Sequence, residues 1–357
     1  MMQHDHKEEE DEAGVKALAA CGSSLLQYVI NAAIELDLFE IIAKAGDGTH
    51  ISPADIAAQI QTSNREAARA LEVMLRFLVP HSFLTCSTIR LVNGEVERRY
   101  GLAPAGKFYV RDELGRSLAP YHALCCPGGT FMWYSLKDTV LKEGGTLFER
   151  IHGKHYYEFT STFDSKTLER FDNAMGAHST MTMKRALEVY NGFDELSSIV
   201  NAGGGNGVTL DMIISKYPSI HGINFDLPEV IKVAPTYNGI EHVAGDMFVE
   251  VPKGDAILLK FVLHNWDDNK CLKLLENCYK ALTDKGKVIV MDAIYPEDLQ
   301  PDNYSKFVAQ LDVIMFANFG GKERTQSEFE ALANGAGFAE FKVMSRAYGT
   351  WIMEFVK

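Results

Sequence analysis

The stretch Leu196-Ser197-Ser198-Ile199-Val200-Asn201-Ala202-Gly203-Gly204-Gly205-Asn206-Gly207 decides the fold. It reads as a short apolar strand, Leu196–Ala202, running into a glycine-rich turn, with a helix over Val208–Lys216 behind it. Glycine in such a turn lets the chain bend sharply and lets a ligand approach without a Cβ in the way. Downstream the pattern repeats. Strands are expected at His221–Leu227, ending at Val243–Ala244, over Ala256–Leu263 and over Lys287–Ala293, with a helix at Asp268–Leu282. Short apolar strands separated by helices imply a parallel sheet covered on both faces. Phe338–Met344 and Thr350–Val356 are close neighbours around Gly349, so they pair antiparallel. Thr325-x-x-Glu328 is a capping box that opens the last helix. The fold class is α/β: an open, mostly parallel, Rossmann-like sheet with antiparallel C-terminal strands.

Upstream, residues 13–45 read as one broad-striped helix and Ser52-Pro53-Ala54-Asp55 as the capped start of a short one. A further helix is expected from Thr62 to Pro80. Phe83–Ile89 and Glu95–Leu102 then flank Asn93-Gly94, a strong hairpin signal. Helices followed by a hairpin form a winged-helix pattern, and winged helices can bind DNA. The charges argue against that. Arg65, Arg69 and Arg76 share the candidate recognition helix with Glu66 and Glu72, a solvated face rather than a phosphate-tracking stripe. Packing against a partner subunit is the expected role. Residues 110–190 read as helical and rich in aromatic and Met side chains. The organisation expected is a disordered acidic tail over 1–12, a helical, winged-helix domain over 13–160 and the α/β domain over 161–357.

Composition narrows the function. The 357 residues suggest about two domains. Asp plus Glu outnumber Lys plus Arg 48 to 35, a net charge of −13. Non-specific nucleic-acid binding draws its affinity from a basic face, so no nucleic-acid partner is expected. No apolar run approaches the roughly 18–20 residues of a membrane helix, so no membrane is expected either. Residues 1–12 carry six acids and one lysine and lack a basic flank followed by an apolar core, so a cytoplasmic location is expected. The six cysteines are expected to be reduced thiols, and none forms a CxxC pair, which argues against structural zinc.

The functional candidates fall at strand ends, where an open α/β sheet binds its ligands. The glycines at 203, 205 and 207 have G-x-G-x-G spacing, which departs from the dinucleotide fingerprint. Asp226 closes the second strand and can accept from ribose hydroxyls, or alternatively cap the helix after it. Asp246-Met247 follows the third strand and offers a base edge a polar partner and a flat thioether. Lys260 sits in a strand expected to be buried, which is costly unless it is paired or reaches the crevice. His264 ends that strand, and Asp292 and Glu323 could flank it. A carboxylate on one ring nitrogen leaves the other to take a proton.

With the motifs INFDLPEVI, VAGDMF, VPKGDAILLK, FDNAMGAHSTMTMK and GGKERTQSEFEALA, the chain resembles the plant S-adenosylmethionine-dependent phenolic O-methyltransferases of the caffeate type over nearly its whole length after the tail. The resemblance implies that Gly203, Asp226, Asp246, Met247 and Lys260 hold S-adenosylmethionine. It implies that His264 is the base, with Asp292 and Glu323 beside it, and that no metal is needed. Met175 and His178 would clamp the acceptor ring opposite Met315 and Phe319, near Asn265 and Trp266. The 13–160 region would be a homodimer-forming module that also contributes to the partner's substrate pocket. Two residues depart from the pattern. Asn201 stands where the family usually has an acid, and Asn265 follows the histidine where caffeate-type members usually have Asp. A simple phenylpropanoid-type phenol is the expected acceptor. A coumarin or flavonoid acceptor, a nicotinamide dehydrogenase and a non-catalytic dimer partner are the alternatives.

Overall fold

The computed structural model describes residues 2–92, 94–125, 131–160 and 165–357. The chain divides into two compact units, Met1–Pro127 and Gly128–Lys357, so the boundary falls earlier than the 160/161 expected. The reason is local. Leu147 and Phe148 of the helix Leu147–His152 are buried, and Phe148 meets the rings of Tyr156 and Phe159 at 5.0 and 5.3 Å. Tyr156 in turn meets Phe319 at 4.4 Å, which ties this segment to the α/β unit.

In the first unit the expectation of a disordered tail over 1–12 is corrected: a helix spans Met2–Cys21. Its composition of Glu, Ala and Lys favours helix, and from Glu9 to Cys21 its side chains are exposed. The single helix expected over 13–45 is three: Met2–Cys21, Leu25–Glu35 and Leu38–Lys44. Gly22 and a left-handed Asp37, with φ of 52°, make the breaks. Ser52 caps Pro53–Ala57 through a reciprocal bond with Asp55. The helix Ala67–Leu78 buries Leu71, Leu75 and Leu78 against this unit's core. Strands β1 (Leu84–Arg90) and β2 (Val96–Leu102) pair antiparallel, Leu84 opposite Leu102. Of the turn expected at Asn93-Gly94, Asn93 lies outside the described residues; Gly94 has φ of 84°.

The second unit carries β3 (Ser198–Ala202), β4 (His221–Asp226), β5 (Ile240–Ala244), β6 (Gly254–Lys260), β7 (Leu282–Asp292), β8 (Glu340–Ala347) and β9 (Thr350–Val356). They form one sheet in the order β5-β4-β3-β6-β7-β9-β8. β3 to β7 run parallel, and β9 enters antiparallel between β7 and β8. Alternate residues feed opposite faces, as strand geometry requires. Ile257, Leu259, Val288 and Val290 pack under Cys271, Leu274, Phe329 and Leu332 of two helices, Asp268–Ala281 and Gln326–Gly335. Ala256, Leu258, Ile289 and Met291 pack under Met183, Ala186, Leu210 and Ile213 of Ser165–Val189 and Val208–Lys216. Each buried Val, Leu, Ile, Met or Phe side chain among them stabilises by about 1.5–3 kcal/mol. The strand order reverses between β3 and β6, the switch point where this architecture opens its crevice. Among the described residues no single helix is long and apolar enough to cross a membrane.

Candidate active site

At the end of β3 the turn is built from three left-handed glycines: Gly203, Gly205 and Gly207 have φ of 71°, 57° and 88°. An L side chain at any of them would be strained. Gly205 N donates to Asp226 Oδ2 at 2.8 Å, and Leu227 N donates to Oδ1 at 2.7 Å. Burial raises the Asp226 carboxyl, and those two N–H groups work against the rise. Gly245 N donates to Asp226 O at 2.9 Å, so the ends of β3, β4 and β5 are linked by consecutive bonds. Asp246 Oδ1 accepts from Phe248 N at 2.8 Å and Met247 O from Asn277 Nδ2 at 3.0 Å. The turn has a further support: Asn224 Nδ2 donates to Gly205 O at 3.0 Å, and its Oδ1 would lie 2.0 Å from any Cβ on residue 204. A polar Asn inside a core strand was the signal that could have found it.

Lys260 ends β6, and Ser179 Oγ accepts from its Nζ at 2.9 Å. Burial lowers its pKa to about 8, opposed by Asp292. Past Lys260 the chain turns through a left-handed Phe261, φ 52°, into a single 3₁₀ turn, Leu263–Asn265. His264 sits on that turn, buried, with Nδ1 2.7 Å from Glu323 Oε1. Burial pushes the imidazole down, but the charge and hydrogen bond of Glu323, together with Asp292, outweigh it and hold His264 above its usual pKa. Glu323 is itself fixed, since its N–H donates to Asp312 Oδ1 at 2.8 Å.

Asp292 and Asn265, both expected near the histidine, meet its surroundings in different ways. Asp292 ends β7 beside this pair, fully buried, but neither of its oxygens has a hydrogen-bond partner among the described residues. Glu323 takes Nδ1, so Asp292 acts on His264 through charge alone, and burial pushes Asp292 up to about 7. Asn265 Nδ2 donates to Phe261 O at 3.0 Å, inside its own turn.

Around the imidazole lies an aromatic wall. His178 meets the Phe261 ring edge-on at 5.1 Å, and burial with the charges of Lys260 and His264 drives its pKa down to about 3. Met175 lies one turn before His178 on the same helix face. Met315 is buried in a cluster that includes Phe261 and Phe319. Tyr157 stacks on Trp266 at 5.5 Å and reaches Phe319 at 5.5 Å. Trp266 also meets His155 and Phe248, and its Nε1 is buried without a partner among the described residues. Tyr156 and Tyr157 were not singled out from sequence, because in an aromatic-rich helical stretch nothing separates them from core. No group of three or more His, Cys, Asp or Glu among the described residues is arranged to hold a metal ion.

Residues 133–339 match the O-methyltransferase domain family and residues 19–112 the O-methyltransferase dimerisation domain family. The chain is 50% identical over 353 residues to a caffeic acid 3-O-methyltransferase of Prunus dulcis, covering 98% of this chain and 95% of that one. It is 51% identical over 351 residues to O-methyltransferase 13 of Lophophora williamsii, covering 98% and 96%. Human N-acetylserotonin methyltransferase, solved with S-adenosylmethionine, shares the fold at TM-score 0.76 and 23% identity, covering 97% of each chain. The chain therefore belongs to the plant O-methyltransferases of the caffeic acid 3-O-methyltransferase type.

Proposed function

We propose that this chain transfers the methyl group of S-adenosylmethionine to a phenolic hydroxyl of a small phenylpropanoid-type acceptor, with His264 as general base. The buried His264–Glu323 pair at the strand ends carries the reading. The residues at hand suit the donor. An ionised carboxylate has about four acceptor positions, and Asp226 uses two on Gly205 and Leu227, leaving others for ribose hydroxyls. A Cβ on Gly205 would meet nothing within 4 Å, so the backbone there is open to a close ligand. Asp246, Met247 and Lys260 stand at the neighbouring strand ends, and Gly203 opens the turn.

The donor supplies a methyl group already activated on a sulfonium. The protein must therefore remove a proton and align the acceptor. Phenols titrate near 10, and a positioned base contributes about 10²–10⁴-fold. Glu323 holds Nδ1, which leaves Nε2 of His264 to take the hydroxyl proton while Glu323 stabilises the imidazolium. Met175, His178, Met315 and Phe319, with Trp266, Tyr156 and Tyr157, offer flat apolar surfaces to a planar ring. We also propose a homodimer formed through the dimerisation domain, where Leu25 and Tyr28 are 53% and 48% exposed. The test is a panel of phenols, coumarins and flavonoids with labelled methyl donor, products read by mass. His264→Ala should abolish transfer and leave donor affinity nearly unchanged; a variant that keeps most of its turnover would refute the base assignment.

A further inference from the structure

We propose that Arg324 is a positioning residue for methyl transfer: it clamps the turn that carries His264 by bonding the backbone carbonyls on either side of it. The inference rests on the reading of His264 as the base. The turn needs an external hold. It is a single 3₁₀ turn whose own bonds, Asn265 N to Val262 O and Trp266 N to Leu263 O, are both 3.2 Å long, and it follows a left-handed Phe261. Arg324 supplies that hold from a position of 0% exposure. Its Nη1 donates to Leu263 O at 2.8 Å and its Nη2 to Trp266 O at 2.8 Å. Nη2 and Nε also donate to Asp268 Oδ1 at 2.7 and 3.0 Å, which fixes the plane of the fork. One rigid guanidinium thus spans both sides of His264 and anchors to the first turn of the next helix.

Its neighbours along the chain act on the same turn. Gly321 lies so close that a Cβ would be 2.0 Å from His264 O. Lys322 N donates to His264 O at 3.0 Å, and Glu323 takes Nδ1. Tyr295 N donates to Arg324 O at 2.7 Å, tying the strap formed by residues 321–324 to the chain just beyond β7. Lysine could not replace the arginine: its ammonium is a point charge on a flexible stem, whereas the fork reaches three acceptors in one plane. Cys271 Sγ also points at Leu263 O and Trp266 O, at 3.2 and 3.6 Å, but a thiol is a weak donor and cannot take over.

The charged and titratable groups facing the imidazole are Glu323 and Arg324 from the strap, Asp292 from β7 and His178 from Ser165–Val189. Lys260 from β6 stands next to His178 and Asp292. Arg324 alone of the first set both opposes an imidazolium and fixes the backbone beneath it.

The experiment compares Arg324→Lys, Arg324→Met and Asp268→Asn in the full chain. It measures kcat, KM, the pH profile, donor binding by calorimetry, and the ring nitrogens of His264 by ¹⁵N NMR. A loosened base should cost about 10- to 100-fold in kcat for Arg324→Lys and more for Arg324→Met. KM for both substrates should stay within about threefold, because the lost interaction matters in the transition state. Asp268 is half exposed, so Asp268→Asn should fold normally and lower kcat by about three- to tenfold, in the same direction. The Nδ1 resonance should shift or broaden in all three. If Arg324→Met does not fold, the other two variants decide. The proposal is overturned if Arg324→Lys and Asp268→Asn bind donor normally and keep the wild-type kcat, pH midpoint and His264 resonance. A wild-type protein that methylates no phenol would defeat the functional reading instead, and the NMR readout would still report whether Arg324 holds His264.

Discussion

Replacing Glu323 with Gln should slow methyl transfer and move its acid limb to lower pH at the same time. The variant keeps the shape and an acceptor oxygen at 2.7 Å from His264 Nδ1 but removes the charge. A hydrogen bond to a charged group contributes about 1.5–3 kcal/mol. At about 1.36 kcal/mol per factor of ten, losing it when the imidazolium forms predicts a roughly 10- to 160-fold fall in kcat. The pH effect has the opposite sense. Burial is the largest influence on His264 and drives its pKa down, and Glu323 is the main group that reverses this. With the charge gone, burial prevails, so the base is free at lower pH although the plateau is lower. His264 and Asp292 lie close enough that the midpoint belongs to the coupled set rather than to one residue. The assay is kcat/KM from pH 5 to 9, with donor affinity measured alongside. A plateau within about twofold of wild type, with an unmoved or raised midpoint, would refute the assignment of Glu323 as imidazolium partner.

Asp292 predicts a stability effect. Its folded pKa, about 7, lies above the ordinary 3.8, so the folded state holds the proton more tightly. The resulting stability is fully present below about pH 4 and is lost as pH rises through about 7, by up to about 4 kcal/mol. Asp292→Asn should flatten that part of the curve, measured as denaturant midpoints against pH; matching slopes in the two proteins would be inconsistent with an unpartnered Asp292 whose pKa is raised by burial. Asp226→Ala should weaken donor binding about 10- to 100-fold through lost charged hydrogen bonds, with calorimetry as the check. Chelator should leave turnover unchanged, and strong inhibition by EDTA would point to metal-dependent chemistry.

The α/β unit was legible because strand burial and turn chemistry agree. The alternating apolar runs of β6 and β7 and the glycines at 203, 205 and 207 leave few architectures open. The strand-end reasoning likewise places Asp226, Asp246, Lys260 and His264 at or just past the ends of β4, β5 and β6, where they stand. What the sequence hid depends on reach and direction. Nothing in the letters says that Glu323 meets the imidazole while Asp292 does not, since both are acids at suitable distances along the chain. The helix over Met2–Cys21 was hidden because composition reports the absence of a core, whereas helix propensity acts without one. The boundary at 127/128 was missed because Leu147, Phe148 and Tyr156 look like generic helical aromatics and aliphatics until their partner Phe319 is known.

Asn265, the family departure next to the base, has a physical reason in this chain. The left-handed Phe261 costs about 1–3 kcal/mol and needs support. The Asn265 amide gives it by donating to Phe261 O at 3.0 Å. A carboxylate has no proton to donate there and would face the carbonyl oxygen instead. Asn265→Asp should therefore destabilise the protein by about 1–3 kcal/mol, the cost of leaving a buried acceptor unsatisfied and adding a repelled charge. The same negative charge beside His264 should raise the imidazole pKa and move the acid limb of kcat/KM to higher pH, opposite to the Glu323→Gln shift. Chemical denaturation and the pH profile test the two effects separately. If Asn265→Asp is as stable as the parent and its midpoint does not rise, the amide does not support the turn, and the choice of Asn at this position must be sought in the acceptor instead.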